Sequence, residues 1–269
     1  MTLPSIRPEG WPASPIRQSE TLDRPLRQDG LETLGISTQT WVEAAVEEGR
    51  WALALELTEY FANEISIMNQ VLFTWLTDIL DYRLARAGAT ESDMGDKLLR
   101  GYRRFDPGAG DLERARAALA AQDAAPALEA VELMRVRWAA QHDGLVVWIQ
   151  EVQTEIAQQF GEDAIRESVT LAYEHIWKPR YALWGDMSPE LRLQLSVEGM
   201  RGGHLSGPRH RGDVGVLDEG DRYTMELDPS GSCGVLRRGD PDSGRPPHPS
   251  ATNQEPHPWT QQRTGMSWY

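Results

Sequence analysis

Apolar residues along 128–160, LEAVELMRVRWAAQHDGLVVWIQEVQTEIAQQF, recur at helical spacing. Trp138, Leu145, Ile149, Val152 and Ile156 stand three, four or seven places apart, the mark of one buried helix face. His142 interrupts that face. Sliding the sequence by 73 places lays Leu55 on Leu128, Glu56 on Glu129, Glu59 on Glu132, Trp75 on Trp148 and Gly88 on Gly161. Asn69 then falls on His142, so both copies of the stripe carry one polar residue at the same point.

Taken in order, residues 1–37 hold Pro4, Pro8, Pro12, Pro15 and Pro25 without helical or alternating periodicity, which predicts an extended or coil arm. A short helix follows, capped at Ser37, with Trp41, Val42, Ala45 and Val46 on one face and Gly49 as its stop. Residues 50–86 read as a long helix whose stripe is Ile65, Asn69, Leu72, Leu76 and Ile79, ended by Gly88. A shorter candidate covers 91–104. Pro107, Gly108 and Gly110 then make a linker. Residues 111–121, 128–160 and 163–177 repeat the short, long and third helices, and Pro179 breaks the last. Residues 187–200 form another helix with Ser188 as cap, Pro189 in the first turn and Gly199 as its end.

The pattern then changes. Gly202, Gly203, Gly207 and Gly212 break up a loop; 213–218 suits a strand, and Tyr223, Met225 and Leu227 alternate with polar residues as a half-buried strand does. A returning strand at 235–238, six prolines in 239–258 and a docking aromatic end at 259–269 complete the chain. The expected fold is mainly α: a duplicated three-helix unit (41–105 and 114–178, then helix 187–200) forming a pseudo-symmetric helical bundle over 38–200. An arm over 1–37 precedes it, and a small β-meander and coil cap over 201–269 follows.

Charge narrows the partners. The net charge of −14 and a pI near 4.9 oppose binding to phosphate backbones or anionic lipid, so neither nucleic acid nor membrane is expected. Residues 199–269 hold eight Arg and nine Asp or Glu, so about 13 of the 14 negative charges belong to the helical part and a cationic pocket near the C-terminus is open. No apolar run nears the ~20 residues of a membrane helix, and the first thirty residues lack the apolar centre of a secretion signal. One cysteine, Cys233, suits a reducing compartment, and a cytoplasmic location is the expectation.

The candidate chemistry starts with His142 and Asn69. A polar side chain in an apolar stripe needs a hydrogen-bond partner or costs ~1–3 kcal/mol; His142 is therefore either a satisfied core residue or an acid/base. Asp143 is next in sequence, about 100° away round the helix, and is expected to face elsewhere. Glu56, Glu59, Glu129 and Glu132 repeat at i,i+3 spacing, but no Glu-x-x-His motif accompanies them, and the last 71 residues hold four histidines without zinc spacing; no metal is expected. No motif names a cofactor. Cys233 lies at a Gly-flanked turn before Arg237 and Arg238, where cations or amides favour a thiolate. His175, among Trp177, Tyr181 and Trp184, and Trp148 and Trp259, two of ten tryptophans, are candidate substrate contacts with Asn69 and Arg237.

The segment ELDPSGSCGVLRRGDP followed by HPWTQQRTGMSWY resembles an uncharacterised family of bacterial proteins over about 45 residues. Its members carry a helical region, then an Asp-Pro-Cys-Gly-Ser-Gly-like turn, a Trp and a Gly-x-x-Tyr-Tyr-Cys-x-His-Cys end. Asp228, Pro229, Gly231, Arg237, Arg238, Trp259 and Tyr269 carry over; the first family cysteine falls on Ser230, and the final Cys-x-His-Cys has no counterpart. The resemblance implies no activity. The functional expectation is a cytoplasmic enzyme, with His142 and Cys233 as catalytic candidates, acting on a small, aromatic or partly apolar molecule between bundle and cap. The alternative is a helical scaffold that binds a protein partner.

Overall fold

The computed structural model describes residues 14–88, 106–203, 213–220 and 222–226. A hairpin of β1 (Ile16–Ser19) and β2 (Arg24–Arg27) comes first, with Ile16 opposite Arg27. Helices α1 (Leu31–Leu34), α2 (Thr38–Glu47) and α3 (Trp51–Arg86) follow, then α4 (Ala109–Ala120), α5 (Ala124–Phe160), α6 (Glu162–Ile176), α7 (Lys178–Ala182) and α8 (Pro189–Gly203). A second hairpin pairs β3 (Gly215–Asp218) with β4 (Tyr223–Glu226). The fold is mainly helical, and no helix among the described residues is long and apolar enough to cross a membrane.

Local chemistry sets the boundaries. The Ser37 hydroxyl accepts from the Thr40 amide at 3.2 Å and caps α2. Gly49 and Gly161 take φ of +70° and +86° where the chain leaves one helix for the next, the region glycine enters without a Cβ clash. Ser188 accepts from the Leu191 amide at the start of α8.

Two apolar cores divide the long helices. Trp41, Leu57, Phe61 and Ile65 pack with Leu119, Val131, Met134 and Trp138; further along, Leu72, Leu76 and Ile79 pack with Leu145, Ile149 and Ile156 and with Ile165 and Ala172 of α6. First halves share one core and second halves the other, so α3 and α5 run side by side in the same direction. Helix α4 runs against α5, since Asp111 meets Arg137; α6 runs against α3, since His175 meets Asp78 and Glu167 meets Arg86. A smaller core of Leu34, Leu193, Val197 and Val214 joins α8 and the second hairpin to α1.

The order of a short helix followed by a long one occurs twice, with ends near those expected; the third helix expected at 91–104 lies outside the described residues. One expected equivalence is not met. Trp75 is 8% exposed within the second core, whereas Trp148 is 53% exposed, on the same outward stripe of α5 as Glu151 and Glu155.

Residues 16–27 form a hairpin within the arm expected to be extended or coil. Its strands are four residues long and include Pro25, so alternation has no length in which to appear. Pro179 does not end the helical path but sits in the first turn of α7. Helix α8 continues through Gly199 to Gly203, and within it Gly202 lies against the Glu64 carbonyl of α3, where a Cβ would collide. That glycine marks a close helix approach rather than a loop.

Candidate functional site

Three polar places stand out in this frame. The first is an ionic lattice buried between the β1–β2 hairpin, α3 and α8. Arg27 gives Nε to Asp29 at 2.8 Å, Nη1 to the Thr38 hydroxyl at 2.9 Å and Nη2 to the Ile36 carbonyl at 2.6 Å. Arg201 donates Nε to Glu64 at 2.8 Å, and Thr38 donates to the other Glu64 oxygen at 2.6 Å. Glu198 accepts from Arg24 and from the Tyr60 hydroxyl. Burial, then Glu198, pushes the Tyr60 hydroxyl well above its ordinary range. Burial lowers Arg27, with the Arg201 charge adding to it; Arg201 ends raised because Glu64 and its other acidic neighbours outweigh its own burial. Arg24, Arg27 and Arg201 face Asp29, Glu64 and Glu198, three charges of each sign. The lattice is therefore neutral without a ligand and acts as a fastening.

The second place is the gap between the two cores. His142 is 3% exposed, and its Nδ1 lies 3.2 Å from Asp143 Oδ1, so the neighbour expected to face elsewhere does reach the ring. A Cβ on Gly203 would sit 3.7 Å from His142 Nε2 and 3.5 Å from Met68, which puts the histidine where α3, α5 and α8 meet. Asn69 is wholly buried; its amide donates to the Ile65 carbonyl at 3.1 Å, while its Oδ1 has no partner among the described residues. Neither residue lines the clefts described below. Arg135, two turns before His142, pairs with Glu132.

The third place is open. A cleft of about 270 Å³ between α3 and the α6–α7 junction is lined by Gln70, Val71, Thr74, His175, Ile176, Pro179 and Arg180. His175 Nδ1 lies 3.0 Å from both oxygens of Asp78. The His175 side chain is 61% exposed and that of Asp78 is 15% exposed. Burial raises the Asp78 carboxyl, and His175 opposes that shift. Beside the cleft, the Arg180 guanidinium lies 5.5 Å from the Trp177 ring, Trp177 stacks on Tyr181, and Tyr181 meets Trp184 edge-on at 5.1 Å. Burial lowers the Arg180 pKa, and Arg24 pushes it the same way. A wider depression of about 700 Å³ is lined, among the described residues, by Asp163, Arg166, Glu167, Thr170, Leu171 and Glu174 of α6 alone, one wall rather than an enclosure.

Of the candidates read from sequence, His175 stands in a cleft, His142 and Asn69 are enclosed at the helix junction, and Trp148 faces outward. Cys233, Arg237 and Trp259 lie outside the described residues. No group of three or more His, Cys, Asp or Glu among the described residues is placed to hold a metal ion; Glu59 instead meets Arg116 at 3.0 Å. Asp78 and Arg180 were not read as candidates. Gln70, Thr74 and Asp78, four residues apart along one face of α3, were the available signal. The chain matches no family model, no curated protein and no solved structure.

Proposed function

We propose that the protein is a cytoplasmic enzyme that binds a small, partly apolar molecule in the cleft between α3 and the α6–α7 junction and exchanges a proton with it through His175. The observation that carries this reading is an exposed imidazole held at Nδ1 by both oxygens of a mostly buried carboxylate within a concave place. A carboxylate on Nδ1 keeps the proton there in the neutral ring, leaves Nε2 to accept one, and stabilises the imidazolium that results. Asp78 is then a positioning residue. The cleft falls just below the ~300–1,000 Å³ of drug-sized sites, which favours a small ligand, and Val71, Ile176 and Pro179 supply an apolar wall. The net charge of −14 argues against nucleic acid, and the single cysteine fits a reducing compartment. In this reading His142 holds the helix junction and does not transfer protons.

The test is a small-molecule screen by native mass spectrometry and histidine-ring NMR on wild type, His175→Ala and Asp78→Asn. A ligand kept by wild type and weakened by about tenfold or more in both variants, with melting temperatures little changed, is the expected result. Equal retention by His175→Ala, or no ligand at all, sinks the reading.

A second reading, a scaffold for a protein partner, draws on Trp148, with Leu171 and Tyr173 also exposed. It predicts that Trp148→Ala abolishes capture of a partner while leaving ring shifts at His175 intact.

A further inference from the structure

The cleft has a charge pattern that narrows its ligand. Arg180 lines it and makes no ion pair with any described residue. The lattice arginines each meet a carboxylate; the contact Arg180 does make is with the face of Trp177, which leaves the donor edge of its planar fork for an acceptor. A guanidinium at the cleft with no carboxylate partner among the described residues calls for an anion. One feature limits how much negative charge fits: Asp78 already supplies a carboxylate next to His175. A dianion such as phosphate would meet that repulsion beside a single guanidinium. The rest of the lining, Val71, Ile176 and Pro179, is apolar.

Resting on the small-molecule reading above, we infer that the cleft takes a monocarboxylate with a compact apolar body. The carboxylate meets the Arg180 fork, the body lies on Val71, Ile176 and Pro179, and the His175 ring faces the bound molecule from α6. Nothing covalent is required for this recognition, and charge-assisted fork binding is what separates a carboxylate from its neutral amide.

Four probes test it by the shift of the His175 ring signal in NMR and by titration calorimetry on the full chain: benzoate, cyclohexanecarboxylate, benzamide and inorganic phosphate. Benzoate and cyclohexanecarboxylate should bind and move the His175 signal; benzamide and phosphate should bind weaker by about tenfold or more. Arg180→Gln should lose the carboxylates to a similar degree with a little-changed melting temperature, because the side chain is exposed and has no carboxylate partner among the described residues. Arg180→Lys should recover only part, since an ammonium lacks the planar fork. If benzamide binds as well as benzoate, or Arg180→Gln binds benzoate normally, carboxylate recognition is wrong. If phosphate alone moves His175, the cleft remains a site and the ligand class is overturned. If no probe moves His175 at millimolar concentration, both the inference and the reading it rests on fall.

Discussion

Asp78 is a carboxylate whose protonated form the fold favours, with burial as the first cause. An acid raised in the folded state is held in its disfavoured form once the pH exceeds its folded pKa. The cost is absent below the ordinary value of 3.8, grows as the pH rises through the window above it, and is full at neutrality. Asp78→Asn removes that cost. The variant should melt like wild type near pH 3 and as high or higher near pH 7, and a variant less stable at pH 7 than at pH 3, relative to wild type, would refute this. A group kept at a stability cost is not explained by folding alone. Asn69 carries a cost of the same sign, and His142 offers the contrast. Asn69 Oδ1 is buried without a partner among the described residues, so Asn69→Leu should raise stability by about 1 kcal/mol in urea melts. His142→Ala should cost about 1–3 kcal/mol, since a ring wedged among three helices leaves a cavity. A His142→Ala variant that melts normally and loses a ligand would return proton transfer to His142.

At the scale of elements, the lattice holds the first hairpin and α8 to α3. Glu64→Gln leaves Arg201 charged in a place where both side chains are about 1% exposed, and should cost ~3–5 kcal/mol; Glu64→Leu with Arg201→Met should cost less than either single change. Additive losses of under ~1 kcal/mol each in a double-mutant cycle would show that the pair fastens nothing. None of this was legible in the chain. Glu64 and Arg201 are 137 positions apart, Arg24 and Glu198 are 174 apart, and each alone reads as an ordinary solvated charge. The helices themselves were legible, because periodicity and caps such as Ser37, Gly88, Gly161 and Ser188 act within a few residues. The site was half legible. His175 drew notice as a histidine among aromatic residues, while Asp78, 97 positions away, was marked only by the polar spacing it shares with Gln70 and Thr74. The break at Asn69 and His142 was visible because each interrupts its own stripe, yet only packing places the junction away from either cleft.

For the molecule as a whole, the parallel course of α3 and α5 has a consequence in time. Each short helix folds back on its own long helix, so the α2–α3 and α4–α5 pairs need only contacts close in sequence and can form as soon as each has been made. The Arg24–Glu198 and Glu64–Arg201 bridges cannot. At 5–20 residues per second, the 174 positions between Arg24 and Glu198 take about 9 to 35 s to synthesise. Until α8 is made, Arg24, Tyr60 and Glu64 lack the partners they meet on it. The hairpin, made well before α8, is therefore among the last pieces to be locked, and α8 is the clasp it waits for.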